Sequence, residues 1–303
     1  MNNFKRILVG LDLSEMDQTL IHIVQYLAGI LELEKVYFMH VAKSLEIPKN
    51  MIEKYPDLMA PVDEAIKREI QQTVDSLLVT NPSFEYAIEV KEGNASDQIL
   101  RWSDIKEVDL MLLGKKLSLK GKGILPGKLV KLGHCSVMFI PETMKPEINK
   151  VLAPIDFSKN SRHIIDVASH IADKAKAEIV LQHSYSVPTG YHAAGKSYEE
   201  FAELMRIHAK EDLMELLGQD HYALGKMIYT LDEDGDAARQ IEKVANEQKA
   251  DLVVVGSQGR SGLASILLGS VAEKVAKGNH KYSILIVKNH KENMGFFEAL
   301  MRV

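Results

Sequence analysis

The chain has 303 residues, 46% of them apolar and 26% charged, the proportions of a globular protein with room for two cores. A net charge of −5 gives no general attraction to nucleic acid or to an anionic membrane surface, and no run of about 18 apolar residues is present to span one. A single cysteine, Cys135, rules out an intrachain disulfide and a multi-cysteine metal site.

Met1 to Val9 runs straight into a strand, without a charged-then-apolar leader, so a cytoplasmic protein is expected. Arg6–Leu11 reads as that strand. Ser14 is the expected N-cap of a helix carrying Leu20, Ile23, Val24 and Leu27 on its apolar face. Lys35–Val41 is a second strand. A stretch with Pro48, Pro56 and Pro61 then leads to a helix near Val62–Leu78. Glu85–Val90, Val108–Leu113 and Ser136–Ile140 complete five strands, with helices at Ala95–Ile105 and Leu125–Leu132 between them. Pro141 and Pro146 mark a linker. Beyond it, strands are expected near Val151–Ile155, Glu178–Ser184, Lys226–Leu231, Leu252–Val255 and Ser283–Val287. Helices are expected near Asn160–Lys174, Glu199–Leu217, Ala237–Gln248 and Ser270–Lys277. Ser44–Pro61 and Val187–Ser197 follow the second strand of each half and are either lids or plain connections. The apolar tail Met294–Met301 is expected to dock as a helix.

The two halves repeat each other. The segment from Lys5 to Ser14 aligns with that from Lys150 to Ser158, and Asp109–Gly114 aligns with Asp251–Gly256; the offsets, 156 − 12 = 144 and 256 − 114 = 142, nearly agree. Alternating strands and helices imply an α/β fold: two tandem doubly wound five-stranded parallel-sheet domains with helices on both faces, over residues 1–145 and 146–303. Ligands of such folds lie beyond the carboxyl ends of the strands, where Asp156 and Gly256 fall.

One stretch carries chemistry. After the apolar run Leu252 to Val255 come Gly256, Gly259 and the pair Gly269-Ser270, which opens a helix. Glycines let the backbone turn and approach a ligand, and free N–H groups at a helix start favour an anion. The spacing is neither a P-loop nor a Rossmann fingerprint. By itself it suits a phosphate or merely a packed turn. It resembles the G-x2-G-x9-G-[S/T] nucleotide loop of the universal stress protein family. The resemblance extends over nearly the whole chain, through the strand-x-x-Asp-x-Ser segments, Met39-His40-Val41, Gln182-His183-Ser184 and the last strand. It implies an adenine nucleotide alpha hydrolase-like fold and a cytoplasmic stress-response protein binding ATP or a related adenine nucleotide in the second domain. Mg²⁺ or Mn²⁺ would be held through phosphates and water. It also implies pairing of the two domains within the chain, as single-domain members pair in dimers, and allows a homodimer of chains and further protein partners.

Carried over residue by residue, the resemblance assigns Asp156, with Pro154 and Ile155, to the adenine–ribose moiety and Ser184 to the base. Gly256, Gly259, Gly269 and Ser270 then follow the ribose and phosphates, with Ser257, Arg260 and Val271 assisting. Read from the residues alone, Asp156 could instead only cap the next helix, a role for which Ser158 competes. The first domain departs from the pattern: Leu117 stands for the second glycine and Lys128 for the hydroxyl residue, so weak or no nucleotide binding is expected there. Lys115, Lys116, Lys120, Lys122 and Lys128 could hold an anion, dock an acidic partner or simply face water. No catalytic constellation is apparent: His183, His192 and His280 are isolated, and His134-Cys135 reads as core and turn. At most slow ATP hydrolysis is expected. The alternatives are a nucleotide-independent interaction module and, less favoured, an adenine-nucleotide-using enzyme.

Overall fold

The computed structural model describes residues 4–46, 62–78, 82–116, 126–218, 225–259, 268–278 and 280–288. It forms two compact units, one up to Glu147 and one from Ile148 to Lys288. The expected tail helix at Met294–Met301 and most of Ser44–Pro61 lie outside the described residues.

The first unit runs β1 (Arg6–Leu11), α1 (Met16–Ile30), β2 (Lys35–Ala42), α2 (Val62–Leu77), β3 (Glu85–Glu92), α3 (Ala95–Ile105), β4 (Leu110–Lys115), α4 (Pro126–Leu132) and β5 (Ser136–Pro141). Its strands are parallel in the order β3-β2-β1-β4-β5. The second unit repeats this with β6 (Lys150–Pro154), α5 (Lys159–Ala175), β7 (Glu178–Tyr185), a 3-10 turn at Tyr191–Ala194, α6 (Tyr198–Leu217), β8 (Lys226–Leu231), α7 (Ala237–Gln248), β9 (Leu252–Gly256), α8 (Ser270–Lys277) and β10 (Ser283–Val287). Its order is β10-β9-β6-β7-β8, again parallel. Both are doubly wound α/β units. Central strands covered on two faces need continuous apolar runs. Accordingly Ile7, Leu8 and Val9, Leu110 to Leu112, Val151 to Ala153 and Leu252 to Val254 are all buried.

Several boundaries shift by one or two residues from those the residues suggest, and two of them have a clear physical reason. Val108 was expected in β4, but Val108 N donates to Ser103 O, and Glu107 at φ 49° turns the chain out of α3, so β4 begins at Leu110. Ser14 was expected to cap α1; α1 begins at Met16, with Glu15 in the cap position and making no side-chain cap bond, while Ser14 Oγ accepts from Met16 N (3.3 Å). The turn is closed by buried Asp17, which accepts from Asp12 N (3.0 Å) and Leu13 N (2.8 Å).

The repeated aspartate before the fourth strand has a structural explanation. Asp109 Oδ2 accepts from Lys5 N (2.9 Å) and Arg6 N (2.8 Å), stapling the start of β4 to the start of β1. Asp251 Oδ2 does the same for Asn149 N (2.8 Å) and Lys150 N (2.9 Å) at β6. These N–H groups lie at the very start of the two strands, and the carboxylate gives each a partner there. Asp251→Ala should therefore destabilise the chain by about 1–3 kcal/mol in urea unfolding, and Asp251→Asn, which keeps one acceptor, by less.

Candidate functional site

The second unit holds a cleft of about 300 Å³ beyond the carboxyl ends of β6, β7 and β9. It sits where the strand order reverses, between β6 and β9. There the ladder is short. β6 and β9 pair only at Val151↔Leu252 and Leu152↔Val253, whereas β1 and β4 pair from Ile7↔Leu110 to Gly10↔Leu113. Pro154 occupies the position of Gly10 and has no N–H to give a neighbouring strand. The two strands diverge before their ends, and the crevice opens.

Pro154, Ile155, Asp156, Ser184, Gly256, Gly259, Gly269, Ser270 and Val271 all line this cleft. Arg260 lies outside the described residues. Ser257 does not line it; its backbone holds the loop, with Ser257 N donating to Val287 O (3.0 Å) and Ser257 O accepting from Gly269 N (2.8 Å). That bond brings Gly269, the N-cap of α8, back against the glycine turn. Lys274 of α8 reaches Asp236 at the start of α7 (3.2 Å), and this bond, opposed by burial, lowers the carboxyl's pKa. The α8 start and the α7 residues Ala237 and Ile241 thus form one wall. No residue of Val187–Ser197 contributes to the lining.

Asp156 serves two ends. Oδ1 accepts from Ser158 N (3.0 Å) and Ser161 Oγ (2.9 Å), which closes the first turn of α5. Ser158 occupies the N-cap position but makes no side-chain cap bond. Oδ2 is turned to the loop: a Cβ on Gly259 would lie 2.9 Å from it. Any side chain at 259 therefore collides with this carboxylate, and only bare backbone fits. Gly256 is confined likewise, with Ile164 Cδ1 2.8 Å from a hypothetical Cβ. The neighbour of Asp156, Phe157, is left-handed (φ 57°) and lies on His183, ring centroids 4.3 Å apart. His183 is buried, with Nδ1 2.8 Å from Ile155 O.

Sequence reasoning missed several lining residues: Ile164, Gln182, His183, Ala237, Ile241 and Gln258. The strand-end position of Gln182 and His183, next to Ser184, was the available signal. Among the described residues no group of three His, Cys, Asp or Glu side chains could hold a metal ion. A cation here would rely on ligand phosphates and water.

The first unit answers its aspartate from within. Asp12, the counterpart of Asp156, has Oδ2 2.6 Å from Lys116 Nζ and accepts at Oδ1 from Ser14 Oγ (2.5 Å). Burial acts to raise its pKa, but the bonds from Lys116 and Ser14 prevail and hold it below the usual range. Met16 fills the space beside Gly114, its Cγ 2.5 Å from where a Cβ would stand. Lys128 Nζ bonds Asp97 Oδ1 (2.6 Å). α4 starts at Pro126, so Gly127 and Lys128 lie inside its first turn, unlike the N-cap Gly269. Of the lysines considered for anion binding, Lys116 and Lys128 are thus paired internally. Lys115 is half-buried, its pKa depressed to about 8 by desolvation. Leu117, Lys120 and Lys122 lie outside the described residues. Cys135 is buried and His134 pairs with Asp104.

The family profile described as Universal stress protein family matches residues 3–141 and again 147–288. The chain is 35% identical over 145 residues to universal stress protein MJ0531 of Methanocaldococcus jannaschii, spanning 47% of this chain and 84% of that protein. It is 33% identical over 136 residues to universal stress protein YxiE of Bacillus subtilis, spanning 43% and 92%. Among solved structures, a functionally unknown protein of Pseudomonas aeruginosa PAO1 aligns over 100% of this chain and 99% of its own, with TM-score 0.65 at 17% identity. A universal stress protein of Archaeoglobus fulgidus aligns over 95% and 98%, with TM-score 0.58 at 16% identity. These two structural likenesses show the fold.

Removing Lys116 leaves burial as the leading influence on Asp12. Lys116→Ala should raise the Asp12 carboxyl pKa, read by NMR titration of the carboxyl carbon. The stability that the ionised, bonded carboxylate adds above its ordinary value, and loses as pH falls through its depressed pKa, should shrink in the same variant.

Proposed function

Because the chain belongs to the universal stress protein family, we propose that its second unit binds ATP or a related adenine nucleotide, and that occupancy sets its contacts with other proteins during stress. The observation that carries this reading is the placement of Asp156 Oδ2 against Gly259. A carboxylate suited to ribose hydroxyls or a base amine stands beside backbone stripped of side chains, in a cleft also lined by the first residues of a helix, where free N–H groups favour an anion. The volume is at the small end for ligand sites and suits a nucleoside, with phosphates running on toward Gly269, Ser270 and Val271. Mg²⁺ or Mn²⁺ would accompany a triphosphate, bound through it rather than by a protein cluster. The first unit, with Lys116 already on Asp12, takes no nucleotide in this reading. The role is one of binding and signalling. No described helix is long and apolar enough to cross a membrane.

A second reading, a nucleotide-independent interaction module, draws on α6, where Leu204, Ile207 and Met214 are exposed. One experiment separates the two. Denatured protein should release bound adenine nucleotide, and calorimetry with ATP on stripped protein should give one site per chain. Gly259→Leu, which drives a side chain into Asp156, should weaken ATP by more than about tenfold, some 1.4 kcal/mol, while Lys116→Ala leaves it unchanged. Absence of any saturable ATP binding by the folded, stripped protein would favour the interaction module.

A further inference from the structure

The floor of the cleft is polar where a parallel sheet is ordinarily apolar. Gln182 and Ser184 project from β7 two residues apart, and Thr230 of β8 stands in register with Ser184. Gln182 is 1% exposed, so its amide needs partners inside the protein. Gln182 Nε2 donates to Ser184 Oγ (2.8 Å) and to Thr230 Oγ1 (2.7 Å), and the two hydroxyls lie 3.1 Å apart. Thr230 in turn gives its proton to His183 O (3.3 Å). A hydroxyl whose proton goes to a carbonyl offers only lone pairs to its other neighbour. The amide end facing Thr230 is therefore the NH₂, and the carboxamide is held one way round. Both amide protons are spent, and among the described residues its oxygen accepts no hydrogen bond. Gln182 lines the cleft, so what it can offer a ligand is a fixed acceptor.

The fold does not require this group. His40 and His183 occupy matching places, each with Nδ1 close to the carbonyl before its aspartate, Leu11 O at 3.1 Å and Ile155 O at 2.8 Å. Counting from them, Gln182 corresponds to Met39 and Ser184 to Val41, and Thr230 to Lys91. The first unit thus builds the same sheet with apolar side chains at the first two positions, and Met39 is buried. Gln182, Ser184 and Thr230 thus form a triad that the first unit does not repeat at the matching positions.

We infer that Gln182, oriented by Ser184 and Thr230, selects the base of the nucleotide. Its carboxamide oxygen accepts from an exocyclic amine and opposes a keto oxygen, so 6-aminopurine nucleotides are retained over 6-oxopurine nucleotides. This rests on the nucleotide reading of the same cleft. Gln182 is a specificity residue here, and Ser184 and Thr230 are positioning residues acting through it. A buried site built to accept a hydrogen bond rejects an analogue without the donor, because its acceptor is left unpaired.

The test is paired calorimetry of the full chain with ATP and ITP, which differ at the six position of the purine. The intact protein should bind ATP at least about tenfold tighter than ITP. Gln182→Met, the residue of the first unit, should bring the ratio within about threefold while ITP affinity holds or rises. Thr230→Val, which removes the hydroxyl that fixes the amide, should narrow the ratio as well. An intact protein that binds both nucleotides equally overturns the inference. So does a Gln182→Met variant in which both affinities fall together and the ratio survives, since that is the signature of packing alone. Thermal unfolding of each variant establishes that it is folded. If the folded, stripped wild-type chain binds neither nucleotide, the parent reading fails instead, and the base-selection inference falls with it.

Discussion

Where β6 and β9 separate, the main chain loses its neighbour, and its polar groups must be satisfied some other way. Each substitute partner becomes a component of the site. Asp156 N, beyond the last β9 pair, meets Ser161 Oγ at 3.3 Å, while on the other side Ile155 N continues the β7 ladder to Gln182 O at 2.8 Å and Ile155 O meets the His183 ring. On the far side Ser257 joins the loop to β10 and to the start of α8. The cleft is thus a place where a sheet was prevented from closing, and the groups that repair its exposed backbone line or support it. The glycines follow from the same cause. Once Asp156 is pinned by Ser158 and Ser161, whatever passes its second oxygen must be without a side chain.

Among its described residues, the first unit arranges the same strand ends differently. Its ladder runs two pairs further, Met16 packs against Gly114, and Lys116 crosses to Asp12. The Lys116–Asp12 pair is half in solvent and adds little stability of its own. Its effect is steric and electrostatic: the carboxylate is already answered by a cation from within. One frame of strands and stapling aspartates thus carries two different arrangements at its strand ends.

The frame was legible in the sequence because its signals are local. Apolar runs, the repeat and glycine spacing each need only a few neighbouring residues, and α7, α8, β8 and β10 fall where those signals end. The glycine loop and Asp156 were legible for the same reason, and the structure gathers them around one cleft. What stayed hidden depends on atoms brought together over long separations or on backbone demands. Lys116 meets Asp12 across 104 residues, and Gln182 meets Thr230 across 48. Ser158 has the composition of a cap, yet its turn is closed by Asp156, and Ser14 shares its turn with Asp17; these carboxylates reach two N–H groups or an N–H and a hydroxyl together. Ser257 was placed in the loop by its position in the sequence, but the two backbone bonds that tie the loop to β10 and α8 depend on residues 30 and 12 positions away.

Leu13 and Phe157 follow the two equivalent aspartates, and both hold the left-handed backbone that a side chain ordinarily avoids, φ 59° and 57°. The bend is as sharp where the aspartate is paired with Lys116 as where it lines the cleft. It therefore belongs to the shared architecture and is no mark of a binding site by itself. What distinguishes the halves is carried by side chains, by the length of the central ladder and by where the helix after the fourth strand begins.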